Sequence, residues 1–326
     1  MIAFLLFSCA MIAEQLGAPK DPSNTKEQIF TVPKGTSARK LGPLLAEANL
    51  IDSSDNFTNY LRITKEGGCI KAGRFLLAPS MSASELIAKM CEAPLANDKP
   101  FTVVEGWRIS EIDDALTAAG WTEAGEYTNA ANDLTLVSAP FPLPSTGTLE
   151  GYLYPETYML NPDRFTVKGF IQRQVDTLAD VFYAKHKKSI SESNRSFAEI
   201  IIMASMLERE EPTPKQRPLV AGILWKRIDN DWNLGVDATS RYTLTNWNDR
   251  KAFLKKLRDP EDPYNTRKRP GLPPTAIGNP SITSLEAALN PSESPYWYYL
   301  HDAQKILRPS KNAKEHEALR KKYNVY

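Results

Sequence analysis

"IFTVPKGTSARKLGPLLAEANLI", Ile29 to Ile51, begins as an extended run, turns at Gly35 and continues with a helical pattern. The same order returns in "PFTVVEGWRISEIDDALTAAGW", Pro100 to Trp121, where Phe101, Thr102, Val103 and Gly106 take the places of Phe30, Thr31, Val32 and Gly35. Each copy is a strand–turn–helix unit, and two copies are too few for a solenoid. Ser110 and Asp113 have the spacing of a capping box for the second helix, with Asp a weaker partner than Glu. Outward from the first copy, "KAGRFLLAP" (Lys71 to Pro79) predicts a strand, and Ser82 with Glu85 opens a helix that runs to about Cys91. Gln28 to Asn97 therefore predicts strand, helix, helix, strand, helix, the first four forming a compact βααβ unit. "EAPLANDKP" (Glu92 to Pro100) is the expected boundary, and the polar "APKDPSNTKEQ" (Ala18 to Gln28) reads as a linker.

The larger C-terminal region mixes elements. Phe165 to Lys188 has helical periodicity, and "SFAEIIIMASMLEREE" (Ser196 to Glu211) is apolar on nearly every side, which predicts a helix central to a core. A further helix is expected from about Lys215 to Asn230. Arg258 to Pro280, rich in proline and polar residues, reads as one long functional loop. The fold class expected is α+β, with segments 1–17, 18–28, 29–98 and 99–326 as apolar leader, linker, small domain and large domain.

Composition removes several function classes. Among 326 residues, 40 basic and 39 acidic side chains leave a formal charge of +1, which offers no footprint for nucleic acid. The basic runs Arg250 to Arg258 and Leu319 to Tyr323 read as solvated helix faces. His186, His301 and His316 are scattered and no CxxC occurs, so neither a metal site nor a cofactor is expected. Cys69 and Cys91 are either a disulfide of an oxidising compartment or two separate buried thiols. "MIAFLLFSCAMIA" (Met1 to Ala13) is apolar apart from Ser8, too short to span a bilayer and without a basic n-region. It is read as the outer end of a membrane anchor, with a buried N-terminal helix as the alternative.

No GxSxG elbow, GxGxxG turn or phosphate loop is present, and Ser205 lies inside an apolar helix. What remains is carboxylate chemistry in "TGTLEGYLYPETYML", Thr146 to Leu160. Glu150 there has Leu149, Tyr152, Leu153, Tyr154 and Pro155 around it, and apolar neighbours raise a carboxyl pKa by penalising its charged form. Glycosidic cleavage needs such a proton donor, and tyrosines offer flat faces to pyranose rings. Glu156, six residues further on, is a second carboxylate in the same stretch, and the local sequence does not choose between the two.

Four blocks follow in order: "LEGYLYPETY", "ASMLEREE", "LGVDATSRY" and "DPYNTRKRPGLPPTAIGNP". Together they resemble the YceG-like (MltG-type) endolytic murein transglycosylases, from about Phe30 to Tyr323. The last block is the most specific, through Tyr264-Asn265-Thr266 and Gly271-Leu272-Pro273-Pro274. The chain departs from the family pattern at Arg209 (usually Lys), Gly235 (usually Gln) and Ala238 (usually Pro), and the family's GxHxF segment is not recognisable in "DAQKILRPS".

The resemblance implies a membrane anchor, a small LysM-like domain and a catalytic domain in which Glu150 is the acid. It also implies that Tyr152, Tyr154, Glu208, Asp237, Thr239, Tyr264, Asn265 and Thr266 line a glycan cleft. The implied partners are peptidoglycan strands and the synthases (penicillin-binding proteins) that make them, with the enzyme on the outer side of the plasma membrane. The implied reaction is non-hydrolytic and leaves 1,6-anhydro ends. Two rivals stand beside it: a muramidase using Glu208 or Asp237 as second carboxylate, and a non-catalytic glycan-binding scaffold.

Overall fold

A computed structural model describes residues 13–325. The chain divides into two compact units, Met1–Asp98 and Lys99–Tyr326. The apolar run up to residue 12 lies outside the described residues, and no helix among those described is long and apolar enough to cross a membrane.

In the first unit, β1 (Gln28–Val32) pairs antiparallel with β2 (Gly73–Leu77), Phe30 opposite Phe75. Side chains alternate across a strand, so Phe30, Val32, Phe75 and Leu77 share the buried face. Helices α1 (Ala38–Glu47) and α2 (Ser54–Thr64) follow β1, and α3 (Ala83–Cys91) follows β2. Ser53 caps α2 by accepting the Asn56 N–H. Ser82 and Glu85 form the reciprocal capping box that opens α3. Leu41, Leu45, Leu50, Phe57, Leu86 and Met90 are at most 2% exposed, and burying each contributes about 1.5–3 kcal/mol. Ala13 and Leu16 pack against this core. A disulfide joins Cys69, at the end of a 3-10 turn, to Cys91, the last residue of α3.

Among the described residues the second unit has only two-stranded sheets. Strand β3 (Lys99–Thr102) pairs antiparallel with β4 (Thr157–Leu160), and β5 (Tyr298–His301) with β6 (Leu307–Ser310). After β3 the chain turns through Gly106, which has the same left-handed φ of +78° as Gly35 in the first unit, and enters α4 (Ile109–Ala118). The capping expected from Ser110 and Asp113 does not form. Helix α4 starts one residue before Ser110, the Glu111 carboxylate accepts the Arg108 N–H at 2.8 Å, and Asp113 accepts from Gly125 and Thr128 at the start of α5 (Glu126–Ala131).

Helix α6 (Val167–Leu178) passes through a π-helical turn, Ala179–Tyr183, into α7 (Ala184–Glu192). The central element is α8 (Phe197–Glu210), where Ile200, Ile201, Met203, Ala204, Met206 and Leu207 are fully buried. Helices α9 (Arg217–Asp229) and α12 (Ile282–Leu289) pack with it. The short α10 (Asp237–Arg241) and α11 (Arg250–Lys256) lie between, and α13 (Ala313–Tyr323) closes the chain. Residues 258–280 contain turns and bends only, as the proline content predicts. The architecture is mixed α+β.

Candidate active site

Glu150 follows a turn at Gly147 (φ +71°) and precedes Gly151 (φ +89°). A Cβ on Gly151 would come within 2.5 Å of Ala276 Cβ and 2.7 Å of Ile201 Cγ2, so only glycine admits both this conformation and this approach to α8. The Asn279 amide oxygen accepts the Gly151 and Leu153 N–H groups, each at 3.0 Å. The Asn279 amide nitrogen donates to Trp107 O at 2.9 Å and reaches Glu150 Oε1 at 3.4 Å. Backbone bonds from Gly106 N to Asn279 O and from Asn279 N to Trp107 O fasten the same two segments. The acid is thus set between three pieces of chain remote in sequence.

Glu150 is only 3% exposed. The Ile109 N–H, at the first turn of α4, lies 3.2 Å from each carboxyl oxygen, and the Tyr242 hydroxyl donates to Oε2 at 3.0 Å. Burial pushes the Glu150 pKa up to about 7; the Ile109 N–H, the Tyr242 hydroxyl and the Arg108 charge hold it back, and Glu111 adds a small upward push. The Tyr242 hydroxyl is itself raised far above its ordinary range, first by burial and then by Glu150, so it stays protonated and remains a donor. The carboxyl reaches a cavity of about 260 Å³ whose remaining wall includes Ser110, Thr128, Asn132, Thr148 and Thr243. With Arg108, Ile109 and Tyr242 the wall is mostly hydroxyl and amide with one guanidinium, and Glu150 is its one carboxylate. A larger concavity of about 580 Å³ lies along α11, lined by Arg250, Lys251, Leu254, Lys255 and Arg258. Its lining residues include no carboxyl to act as proton donor, so it is not the candidate.

The other residues expected in the cleft divide sharply. Tyr264 stands near the acid: its ring lies 4.9 Å from that of Tyr242 and its hydroxyl bonds Thr275 at 2.8 Å. Tyr152 and Tyr154 are turned into the core. They are 3% and 8% exposed, and Tyr152 packs between Phe141 and Phe197, because the turn at Gly151 sends the chain after Glu150 into the core. Glu208 is a structural node, bound by the Arg217 guanidinium at 2.9 and 3.1 Å and by Ser281 N at 2.9 Å. Asp237 pairs with Arg267 at 2.6 Å.

Thr239 and Thr266 are buried and bond each other at 3.1 Å. Asn265 is fully buried, its amide donating to the carbonyls of Lys256, Leu257 and Asp259. These three brace the loop that carries Tyr264. The partners that sequence reasoning missed are Ile109 N–H, Tyr242, Asn279 and Arg108. Tyr242 ends the block "LGVDATSRY" and Asn279 sits in "GNP" of the last block, so both were within matched segments, but nothing local marks them as neighbours of Glu150.

The YceG-like family model matches residues 30–322. The chain belongs to the YceG-like family. Its YceG-like relatives include the "Endolytic murein transglycosylase" of Bacillus subtilis, 25% identical over 96% of this chain and 89% of that protein. The protein of the same name from Streptococcus pneumoniae D39 is 23% identical over 87% of this chain, which spans 56% of its length. Among solved structures, a yceG-like protein from Listeria monocytogenes has a TM-score of 0.62 and 27% identity, covering 90% of this chain and 99% of that one.

Proposed function

We propose that this YceG-like chain is an endolytic murein transglycosylase that cuts the MurNAc–GlcNAc bond within glycan strands. The observation that carries the reading is the buried carboxyl of Glu150, raised to about 7 and the one carboxylate at the wall of a cavity lined by hydroxyls, an amide and the Arg108 side chain. At neutral pH such a group divides its population between acid and carboxylate, which suits a residue that must donate a proton and then recover one. Its proton passes to the glycosidic oxygen as that oxygen leaves C1 of N-acetylmuramic acid. The resulting carboxylate takes the proton of the same sugar's C6 hydroxyl as O6 bonds to C1. The products are a 1,6-anhydro end and a free GlcNAc hydroxyl, Glu150 is again protonated, and no water is consumed. Because the attacking hydroxyl belongs to the sugar being cleaved, the second step gains from proximity.

A hydrolytic muramidase ordinarily uses two carboxyl groups about 5–9.5 Å apart flanking the bond. Glu208 and Asp237, the partners considered for that role, are occupied by Arg217 and Arg267, which favours the one-carboxylate reading. The test is mass spectrometry of digested murein strands. Wild-type protein is expected to yield 1,6-anhydro ends, and Glu150→Gln to lower turnover at least about 100-fold, the scale of a lost acid–base group. Reducing ends without anhydro sugars would mean hydrolysis, and undiminished turnover by Glu150→Gln would remove Glu150 from the chemistry.

The same proposal places the chain on the outer face of the plasma membrane, held by a single-pass anchor and working beside glycan-polymerising synthases. The Cys69–Cys91 disulfide supports an oxidising location. The first unit, with its βααβ order, is read as a LysM-like module that engages the glycan.

A further inference from the structure

Among the side chains that meet Glu150, Tyr242 alone makes a short hydrogen bond. Its hydroxyl lies 3.0 Å from Oε2, whereas the Asn279 amide is 3.4 Å from Oε1 and is also engaged by Trp107 O at 2.9 Å. Tyr242 sits just past α10, on residues 242–247, which form neither helix nor strand. A loop residue needs a brace to hold so short a contact, and Arg108 supplies one. Its Nη1 donates to the carbonyls of Tyr242 at 2.9 Å and Leu244 at 2.8 Å. Its guanidinium lies 5.6 Å from the Trp247 ring centre, and that of Arg209 lies 4.3 Å from the same ring. Glu111 balances both cations, at 3.4 Å from Arg108 Nε and 2.7 Å from Arg209 Nη2. Arg108 also immediately precedes Ile109, whose N–H holds both Glu150 oxygens. One residue therefore ties the backbone donor and the hydroxyl donor of the acid into a single rigid piece.

We infer that Tyr242 is a positioning residue for Glu150 in both halves of the reaction, and that Arg108 holds Tyr242 in place through its two carbonyls. This rests on Glu150 being the acid and base. In the charged state the hydroxyl donates to the carboxylate; in the neutral state it can turn and accept. It therefore keeps the carboxyl oriented while the proton leaves and returns. The charged and titratable groups facing Glu150 are Arg108 just before α4, Glu111 from α4, Tyr127 from α5, Tyr242, and Tyr264 from the long loop. Of these, Tyr242 alone bonds the carboxyl directly with its side chain.

The experiment compares Tyr242→Phe and Arg108→Lys with wild type and with Glu150→Gln, following anhydro-end formation against pH on purified strands. Tyr242→Phe keeps the ring that packs on Tyr264 and removes only the donor. Its kcat is expected to fall about 10–100-fold with KM within about threefold, the scale at which misplacing a reacting group acts. The lost O–H favoured the charged form of Glu150, so the high-pH limb, where the acid deprotonates, should move upward. Arg108→Lys keeps the charge but cannot serve two carbonyls with a fixed fork. It should lower kcat and move the limb in the same direction.

Combining the two should cost little more than Tyr242→Phe alone, since both act through one contact. A Tyr242→Phe protein with wild-type near-ultraviolet dichroism and kcat within twofold, or with a lower kcat and an unmoved limb, would overturn the inference. Fully multiplicative losses in the double variant would also overturn it. Failure of the underlying reading is seen separately, as retained turnover in Glu150→Gln.

Discussion

Glu150 and Glu208 are both withdrawn from solvent, and their partners send them to different work. Glu208 faces a guanidinium in a two-pronged pair with Arg217, each side chain 6% exposed, with Ser281 N filling a further acceptor site. Glu150 faces a peptide N–H and a phenol, and Arg108, whose charge acts on it, is spent on the carbonyls of Tyr242 and Leu244. The first acid therefore ties α8 to the start of α12, while the second is free to exchange a proton. Glu208→Ala leaves Arg217 buried without its counter-ion, which costs about 3–5 kcal/mol. Denaturant unfolding should show that loss as a lower midpoint. Glu150→Gln, which leaves no buried charge behind, should unfold no earlier than wild type.

At the scale of elements, the site depends on how closely α9 and α12 pack around α8. Gly222 in α9 has the carbonyl oxygen of Ser292 so near that an added Cβ would lie 1.9 Å from it. Ser292 N bonds Pro218 O at 2.9 Å, and Trp225 Nε1 bonds Ala288 O within α12 at 2.9 Å, so α12 and the turn after it are both laced to α9 and cannot give way cheaply. Gly222→Ala exchanges a slightly better helix former for this clash. The overlap should win, lowering stability by about 1–3 kcal/mol, the range of overpacked cores, as read by urea unfolding. An equal or higher midpoint would mean that the Ser292 turn moves aside freely.

At the scale of the whole molecule, the two units are stabilised in different ways. The second holds the extended apolar core around α8. The first is small, and its Cys69–Cys91 link closes a loop of 22 residues between the 3-10 turn and α3. Closing a loop of that size contributes about 3 kcal/mol in the chain-entropy account. Reduction of the full chain should therefore raise hydrogen exchange in residues 66–92 and leave the peptides around Glu150 protected. Exchange that rose equally in both places would show that the units unfold together.

The sequence by itself determined what depends on near neighbours. The capping box of Ser82 and Glu85, the strand alternation at Phe30 and Val32, the turns at Gly35 and Gly106 and the buried course of α8 are contests among adjacent backbone and apolar groups. The apolar surroundings of Glu150 were legible for the same reason, through a glycine-flanked turn set in an apolar stretch, whereas its choice over Glu156 as the proposed acid rested on the family resemblance. Tertiary structure alone decided which side chains meet the acid. Ile109, Tyr242 and Asn279 reach it across 41, 92 and 129 residues. It also decided that Tyr152 and Asn265 turn inward, since burial removes an aromatic ring or an amide from a cleft whatever its neighbours in the chain suggest. Hydrogen-bond satisfaction and close packing act through space, and a proton's affinity for Glu150 is set by that surrounding space.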